Sequence, residues 1–175
     1  MLIKTIFAGF GGQGVLSMGL SLAQAAMMEG RNVTYLPSYG AEVRGGTANC
    51  TVAVSDEEIA SPVASSPEFI VAMNQPSLIR FQHQLESGGL FLINSSLIEA
   101  RISRGDIDIM EIPANSLAEK LGSPRSANMV MLGAFVKRSN LVPISTLMEG
   151  LDTTMKNKKL ITINQEALTT GYDFA

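Results

Sequence analysis

Nucleophiles and metal ligands are scarce in this sequence. Among 175 residues there is one cysteine, Cys50, one histidine, His83, and no tryptophan. A single Cys permits no internal disulfide, no Cys-x-x-Cys metal site and no iron–sulfur cluster held by several thiolates. A single His rules out a His-rich metal site and leaves few ways to build a general base. No pair of carboxylates stands out for acid–base work. Charge is thin as well. Charged residues make up 17%, against about 25% in an ordinary soluble domain, and the net charge is -3. No basic block or stripe is present, which argues against nucleic acid as a partner. No apolar run approaches the ~18 residues that a membrane span needs. Met1–Phe10 is apolar but runs straight into glycines without a signal-peptide cleavage site. The expected setting is the cytoplasm.

Apolar side chains and glycine are plentiful: 46% hydrophobic residues and 16 glycines. The length fits one domain, residues 1–175, with one sizeable core. So apolar a chain is either a well-buried α/β core or a subunit with extensive protein contacts. Leu2–Ala8 reads as a buried strand. Val15–Glu29 has helical spacing and is stopped by Gly30. Asn32–Leu36 reads as the next strand, so the chain opens as a Rossmann-like βαβ unit. Pro37–Gly46 is a polar loop and Thr47–Ser55 an alternating strand. Ser61–Pro67 is a linker. Glu68–Met73 is a strand, after which Asn74 caps a helix carrying Pro76 and running to about Glu86. Leu90–Asn94 and Ile107–Ile112 are strands. Helices are expected at Asn115–Leu121, Ser126–Arg138, Pro143–Lys156 and Ile163–Tyr172. This alternation predicts a three-layer α/β domain with a mostly parallel central sheet. In such sheets, ligands and partners meet the loops at the carboxyl ends of the strands.

Two of those loops are unusual. Gly9, Gly11 and Gly14 match G-x-G-x-x-G between a strand and a helix, within Gly9-Phe10-Gly11-Gly12-Gln13-Gly14. Glycine permits a tight turn and close backbone approach, and the N–H groups at a helix start favour an anion. A dinucleotide site also needs an acid about 20 residues on, at the end of the second strand. That strand ends Tyr35-Leu36-Pro37-Ser38, with Glu29 too early and Glu42 too late. Bound NAD or FAD is therefore disfavoured. Two readings remain open: close strand–helix packing, or a loop facing an anionic ligand or a partner subunit, with Gln13 able to donate and accept. The second loop is Ser38-Tyr39-Gly40-Ala41-Glu42-Val43-Arg44-Gly45-Gly46. If it is extended, Glu42 and Arg44 share one face. Arg44 could then pair with Glu42 or hold a carboxylate or phosphate; an ordinary solvated loop is the plainer alternative.

Together these loops resemble the paired signatures of the gamma subunit of 2-oxoacid:ferredoxin oxidoreductases. Ala72-Met73-Asn74-Gln75-Pro76-Ser77, Asn128-Met129-Val130-Met131-Leu132-Gly133-Ala134 and the stretch from Asn164 to Tyr172 are similar to further family segments, in the same order. The resemblance covers nearly the whole chain. It implies membership in a complex that oxidatively decarboxylates a 2-oxoacid, transfers the acyl group to coenzyme A and passes electrons to ferredoxin. Thiamine diphosphate and the iron–sulfur clusters then belong to other subunits, and this chain carries no cofactor of its own. The implied partners are catalytic alpha and beta subunits, with a ferredoxin-like delta subunit a further one in some complexes. Coenzyme A is a candidate contact. The motif positions are Gly9, Gly11, Gly12, Gln13 and Gly14, then Tyr39, Glu42, Arg44, Gly45 and Gly46, with Asn74 and Gln75 a weaker third element. None is assigned a chemical step. The second loop favours an aliphatic 2-oxoacid over an aromatic one, with 2-oxoglutarate the first candidate and pyruvate and branched-chain acids still open.

A competing reading is a stand-alone nucleotide- or coenzyme-binding module, resting on the glycine spacing alone. An independent enzyme is disfavoured by the lack of reactive residues. His83, flanked by Gln82 and Gln84, reads as part of a polar helix face. Cys50 reads as a small buried hydrophobe. The 10 methionines read as core filler, and Arg125 as an exposed loop cation.

Overall fold

The computed structural model describes residues 1–40, 46–155 and 157–175. Six strands are present among the described residues: β1 (Leu2–Phe10), β2 (Asn32–Tyr39), β3 (Thr47–Ser55), β4 (Phe69–Ala72), β5 (Leu90–Asn94) and β6 (Asp108–Ile112). The helices are α1 (Val15–Met28), α2 (Gln75–Phe81), α3 (Ala114–Lys120), α4 (Ala127–Ser139), α5 (Ile144–Thr154) and α6 (Ile161–Phe174). The strands form one sheet in the order β2-β3-β1-β4-β5-β6. β1, β4, β5 and β6 pair in parallel, while β3 runs antiparallel to both β1 and β2. Five strands therefore point one way and one reverses, which is the expected α/β class with a mostly parallel sheet.

The opening unit differs from the simple βαβ expected. β1 and β2 are parallel, but β3 lies between them, with Phe10 opposite Thr47 and Tyr39 opposite Ala48. β2 also continues to Tyr39, past the expected end at Leu36. Pro37 is tolerated because β2 is an edge strand, where a missing N–H costs no second ladder. The helix after β4 is shorter than expected. It stops at Phe81, and His83 is exposed in the turn that follows.

Periodicity explains which faces are covered. In β1, Ile6 and Ala8 face one side and Phe7 the other, as strand alternation requires. The Phe7 side carries α1, α3, α4, α5 and α6. Phe135 of α4 lies edge-on to Phe7 and Phe69, with ring centroids 5.4 and 5.5 Å away. The other side carries α2, whose Leu78 and Phe81 join Leu85, Ala64 and Ile98 over Ile6, Ile70 and Phe91. Arg104 fastens this layer by donating to the carbonyls of Gln82 (3.0 Å) and Leu85 (2.8 Å) and pairing with Asp106 at 2.6 Å. Among the described residues no helix is long and apolar enough to cross a membrane.

Two helices touch through their backbones. A Cβ on Gly133 of α4 would overlap the Leu168 carbonyl of α6, and a Cβ on Gly171 would overlap the Val130 carbonyl. Backbone cannot give way as a flexible side chain can, so Gly171→Ala or Gly133→Ala should lower stability by roughly 1–3 kcal/mol or more. Thr5 predicts the opposite sign. It is 1% exposed and its Oγ1 has no partner among the described residues. Thr5→Val keeps the shape and removes an unsatisfied buried hydroxyl, so it should be stabilising by about 1 kcal/mol. Denaturant unfolding of the variants checks both.

Candidate functional site

The connection from β1 goes through α1 toward β2, and that from β4 goes through α2 toward β5. These connections diverge in opposite directions and lie on opposite faces. The gap between β1 and β4 is therefore the topological switch point of the sheet, where α/β proteins bind ligands. The glycine loop closes its carboxyl end.

Gln13 fills that gap. Its Oε1 accepts from Phe10 N at 2.7 Å and from Asn74 Nδ2 at 2.8 Å. Its Nε2 donates to the carbonyl of Met73 at 3.4 Å. One amide thus joins the ends of β1 and β4. Gly9 makes this possible: a Cβ there would lie 2.6 Å from Gln13 Oε1 and 2.8 Å from Val15 Cγ1. Gly14 serves a second amide. It sits at φ +73, and a Cβ would overlap Asn128, whose Nδ2 donates to the Gly14 carbonyl at 3.3 Å. At these two positions the missing side chain leaves room for Gln13 and Asn128. Gly12 is different, with φ +98, open space around it and an exposed surface. It leaves the loop tip free, next to a helix start that has no side-chain cap. Such a start has unpaired N–H groups that suit an anion or a partner's acceptor.

The two glycine-bearing loops meet. Gly11 N donates to the Gly46 carbonyl at 2.9 Å, and Gly40 N to the Thr47 carbonyl at 2.8 Å. Tyr39 stands beside them, 71% exposed. Glu42, Arg44 and Gly45 lie outside the described residues. Asn74 has a second duty as the expected cap: its Oδ1 accepts from Ser77 N at 3.0 Å at the start of α2. Gln75 does not join the cluster. It is exposed, and its Oε1 accepts from Glu99 N at 3.4 Å.

Sequence reasoning missed three amides that complete the site. Asn94 ends β5 and is fully buried. Its Nδ2 donates to Asn115 Oδ1 at 2.8 Å and to the Met73 carbonyl at 3.3 Å. Its Oδ1 accepts from Ala114 N at 3.2 Å and Ser96 N at 3.3 Å. An amide closing an otherwise apolar strand was the available signal. Asn115 has no comparable signature, and Asn128 opens a family-like segment but is not marked as a site residue, because helix pattern says nothing about which amide turns inward. Gly12, Gln13, Asn115, Asn128 and Arg125 line a small pocket of about 220 Å³ at this edge.

Among the described residues the site has no reactive group of its own. The nearest thiol, Cys50, lies under α1 and donates to the Val15 carbonyl at 3.4 Å. Burial pushes it up to about 12. Tyr35 donates to the Leu16 carbonyl at 3.2 Å and is likewise pushed up to about 12, first by burial and then by Cys50 and Tyr39. Neither supplies an anion at neutral pH. Cys50 should therefore resist a thiol reagent at pH 8 in the folded chain and react fully once unfolded, which a timed labelling assay reads directly. Asn94→Ala should cost about 2–4 kcal/mol in denaturant unfolding, since it strands several buried partners at once.

Comparison with known proteins supplies a family for this geometry. Residues 4–174 match the model of the pyruvate ferredoxin/flavodoxin oxidoreductase family. Ketoisovalerate oxidoreductase subunit VorA of Methanothermobacter thermautotrophicus is 42% identical over 175 residues, covering 99% of this chain and 36% of the relative. The chain thus spans about a third of the length of that curated relative. The gamma subunit of a keto/oxoacid ferredoxin oxidoreductase from Geobacter sulfurreducens superposes with a TM-score of 0.84 at 25% identity, covering 98% of this chain and 96% of that one. A 2-oxoglutarate:ferredoxin oxidoreductase from Magnetococcus marinus, solved with 2-oxoglutarate, coenzyme A and succinyl-CoA bound, superposes with a TM-score of 0.91 at 26% identity, covering 99% of this chain and 31% of that one. With its glycine loop, its amide-filled switch point and its match from end to end, the chain belongs to the pyruvate ferredoxin/flavodoxin oxidoreductase family and has the fold of that family's gamma subunit.

Proposed function

We propose that the chain is the gamma-type part of a 2-oxoacid:ferredoxin oxidoreductase and supplies shaped surface rather than reactive groups. The observation that carries this reading is the chemistry of the strand-end site. Gln13, Asn74, Asn94, Asn115 and Asn128 are all amides, held by one another and by backbone. Amides orient and recognise, but they do not exchange protons or attack carbon near neutral pH.

In the complex, thiamine diphosphate supplies the electron sink for decarboxylation and iron–sulfur clusters carry electrons to ferredoxin. A cluster held by several thiolates does not fit this chain. The one thiol, Cys50, is buried in the core and engaged with Val15, so cluster ligands have to come from partner subunits. The catalytic alpha and beta subunits, and a ferredoxin-like delta subunit where present, are the proposed partners. The loops at Gly11–Gly14, Tyr39 and Gly46 form the contact surface. Tyr39 at 71% and Leu36 at 41% exposure, both at the loop end of β2, are the kind of side chains an interface covers. Coenzyme A fits the glycine loop in charge: exposed Gly12, the uncapped start of α1 and the Arg125 guanidinium converge on one edge. The substrate is an aliphatic 2-oxoacid. Ketoisovalerate and 2-oxoglutarate are the acids in the names of the relatives above.

A free-standing dinucleotide module is the weaker reading. Gln13 occupies the crevice where a pyrophosphate would sit, and β2 ends in Tyr39 where the ribose-binding acid belongs.

Purification of the chain from its native source tests the proposal. Thiamine-diphosphate-binding and cluster-bearing polypeptides should come with it, and the material should reduce ferredoxin only when a 2-oxoacid and coenzyme A are both supplied. The chain alone should be inactive. Turnover of a 2-oxoacid by the isolated chain would overturn the proposal.

A further inference from the structure

The connection from β5 to β6 is unusual for this architecture. Parallel neighbours are ordinarily joined through a helix, yet residues 95–107 carry none and cross the α2 side of the sheet as an irregular strap. Ile98 is buried, and Ala100, Ile102 and Ile107 pack against the cluster that includes Ile70, Leu78 and Phe91. The strap has few hydrogen bonds of its own. Among the described residues, no backbone–backbone bond involves residues 99–105. Local stability falls where such bonds are few, so the order of the strap is lent by side chains at its two ends.

Arg104 fastens the end that leads into β6. Its guanidinium donates to the carbonyls of Gln82 and Leu85 and pairs with Asp106, whose carboxylate also accepts from Ser87 Oγ at 2.6 Å. The strand-end amides fasten the end that leaves β5. Asn94 Oδ1 accepts from Ser96 N, and Ser96 Oγ accepts from Ser116 N at 3.2 Å. Gln75 Oε1, at the first residue of α2, accepts from Glu99 N. Both fastenings lead back to Gln13. Asn74, which caps α2 through Ser77 N, donates to Gln13 Oε1. The Met73 carbonyl accepts from both Gln13 Nε2 and Asn94 Nδ2. Gln13 itself is half-buried and lines the small pocket beside the glycine loop. Two hydrogen-bonded connections therefore run from the glycine loop to the strap.

We infer that the strap is a conformational sensor of the glycine loop: the freedom of the Gln13 amide sets how often residues 96–101 open. A group that seats on the loop and restrains Gln13 tightens the strap without changing its shape, since order alone can carry such a coupling. Loss of the Gln13 amide loosens the strap. The coupling is reciprocal, so release of the strap frees the loop in turn. The identity of what seats on the loop rests on the function proposed above. The coupling itself is a property of the chain alone and does not depend on that reading.

Amide hydrogen exchange of the full chain, read residue by residue by NMR, tests this. In the unaltered chain, Ser96 and Glu99 should exchange faster than the amides of α4. Gln13→Ala should speed both by about fivefold, the worth of one hydrogen bond. It should leave Lys159, held by Asn157 in the turn before α6, as it was. Gln75→Ala changes an exposed position at the strap end of the connection. It should speed exchange at Phe10, whose N–H Gln13 holds, by about twofold or more. A strap that exchanges as slowly as α4 overturns the inference. So does acceleration confined to residues 9–15 and 73–78 in the first variant, or a Phe10 amide indifferent to the second. If Gln13→Ala does not fold, the Gln75→Ala result decides alone. Each of these outcomes leaves the subunit assignment in place, because co-purification reads that separately.

Discussion

The carboxyl end of this sheet depends on one amide. At the switch point, two parallel strands part company above the last ladder bond, and nothing in the sheet itself holds them there. Gln13 does so by accepting from the end of β1 and from Asn74 beyond β4, while donating to the Met73 carbonyl. The glycines around it are largely a consequence. Gly9 vacates the volume that the amide occupies, and Gly14 vacates the volume of Asn128. From Met73 the same carbonyl reaches Asn94, and through it Asn115 at the start of α3. The strand ends are thereby stitched into one surface by neutral groups.

Neutral stitching has a physical merit at an interface. A buried charge needs a partner within hydrogen-bond reach, and its removal from water is costly. An amide carries donors and acceptors at a much smaller desolvation cost and keeps them across the pH range. Surfaces made this way hold their shape whether or not a neighbour is docked. That suits a chain whose family relatives are both separate gamma subunits and parts of chains about three times as long.

Much of this is legible in the residues. The strand at Leu90–Asn94 and the alternating strand at Thr47–Ser55 follow from local pattern, and both match the structure at each end. Asn74 before Gln75-Pro76 specifies a cap, and it is one. Sheet order is hidden, because pairing partners are set by packing across the sheet rather than by neighbours in the chain. Nothing within Thr47–Ser55 states that it will insert between β1 and β2. The end of β2 is misplaced from local pattern because Pro37 reads as a breaker unless the strand is known to lie at an edge. Spacing locates the glycine loop but does not divide its roles. Which glycine admits a side chain and which leaves the backbone open depends on Asn128, more than a hundred residues away.

The insertion of β3 also bears on how the molecule comes into being. β1 has no left-hand neighbour until residues 47–55 have been made, and β2 has no neighbour at all until then. The α1 crossover consequently cannot seat against a finished surface when it first emerges. Its apolar face must wait for a strand that arrives later, and only then do both edges close together. Closure of this half of the sheet requires the non-local pairing of β3 with β1, the sort of step that makes folding slow and leaves unpaired edges exposed in the interval.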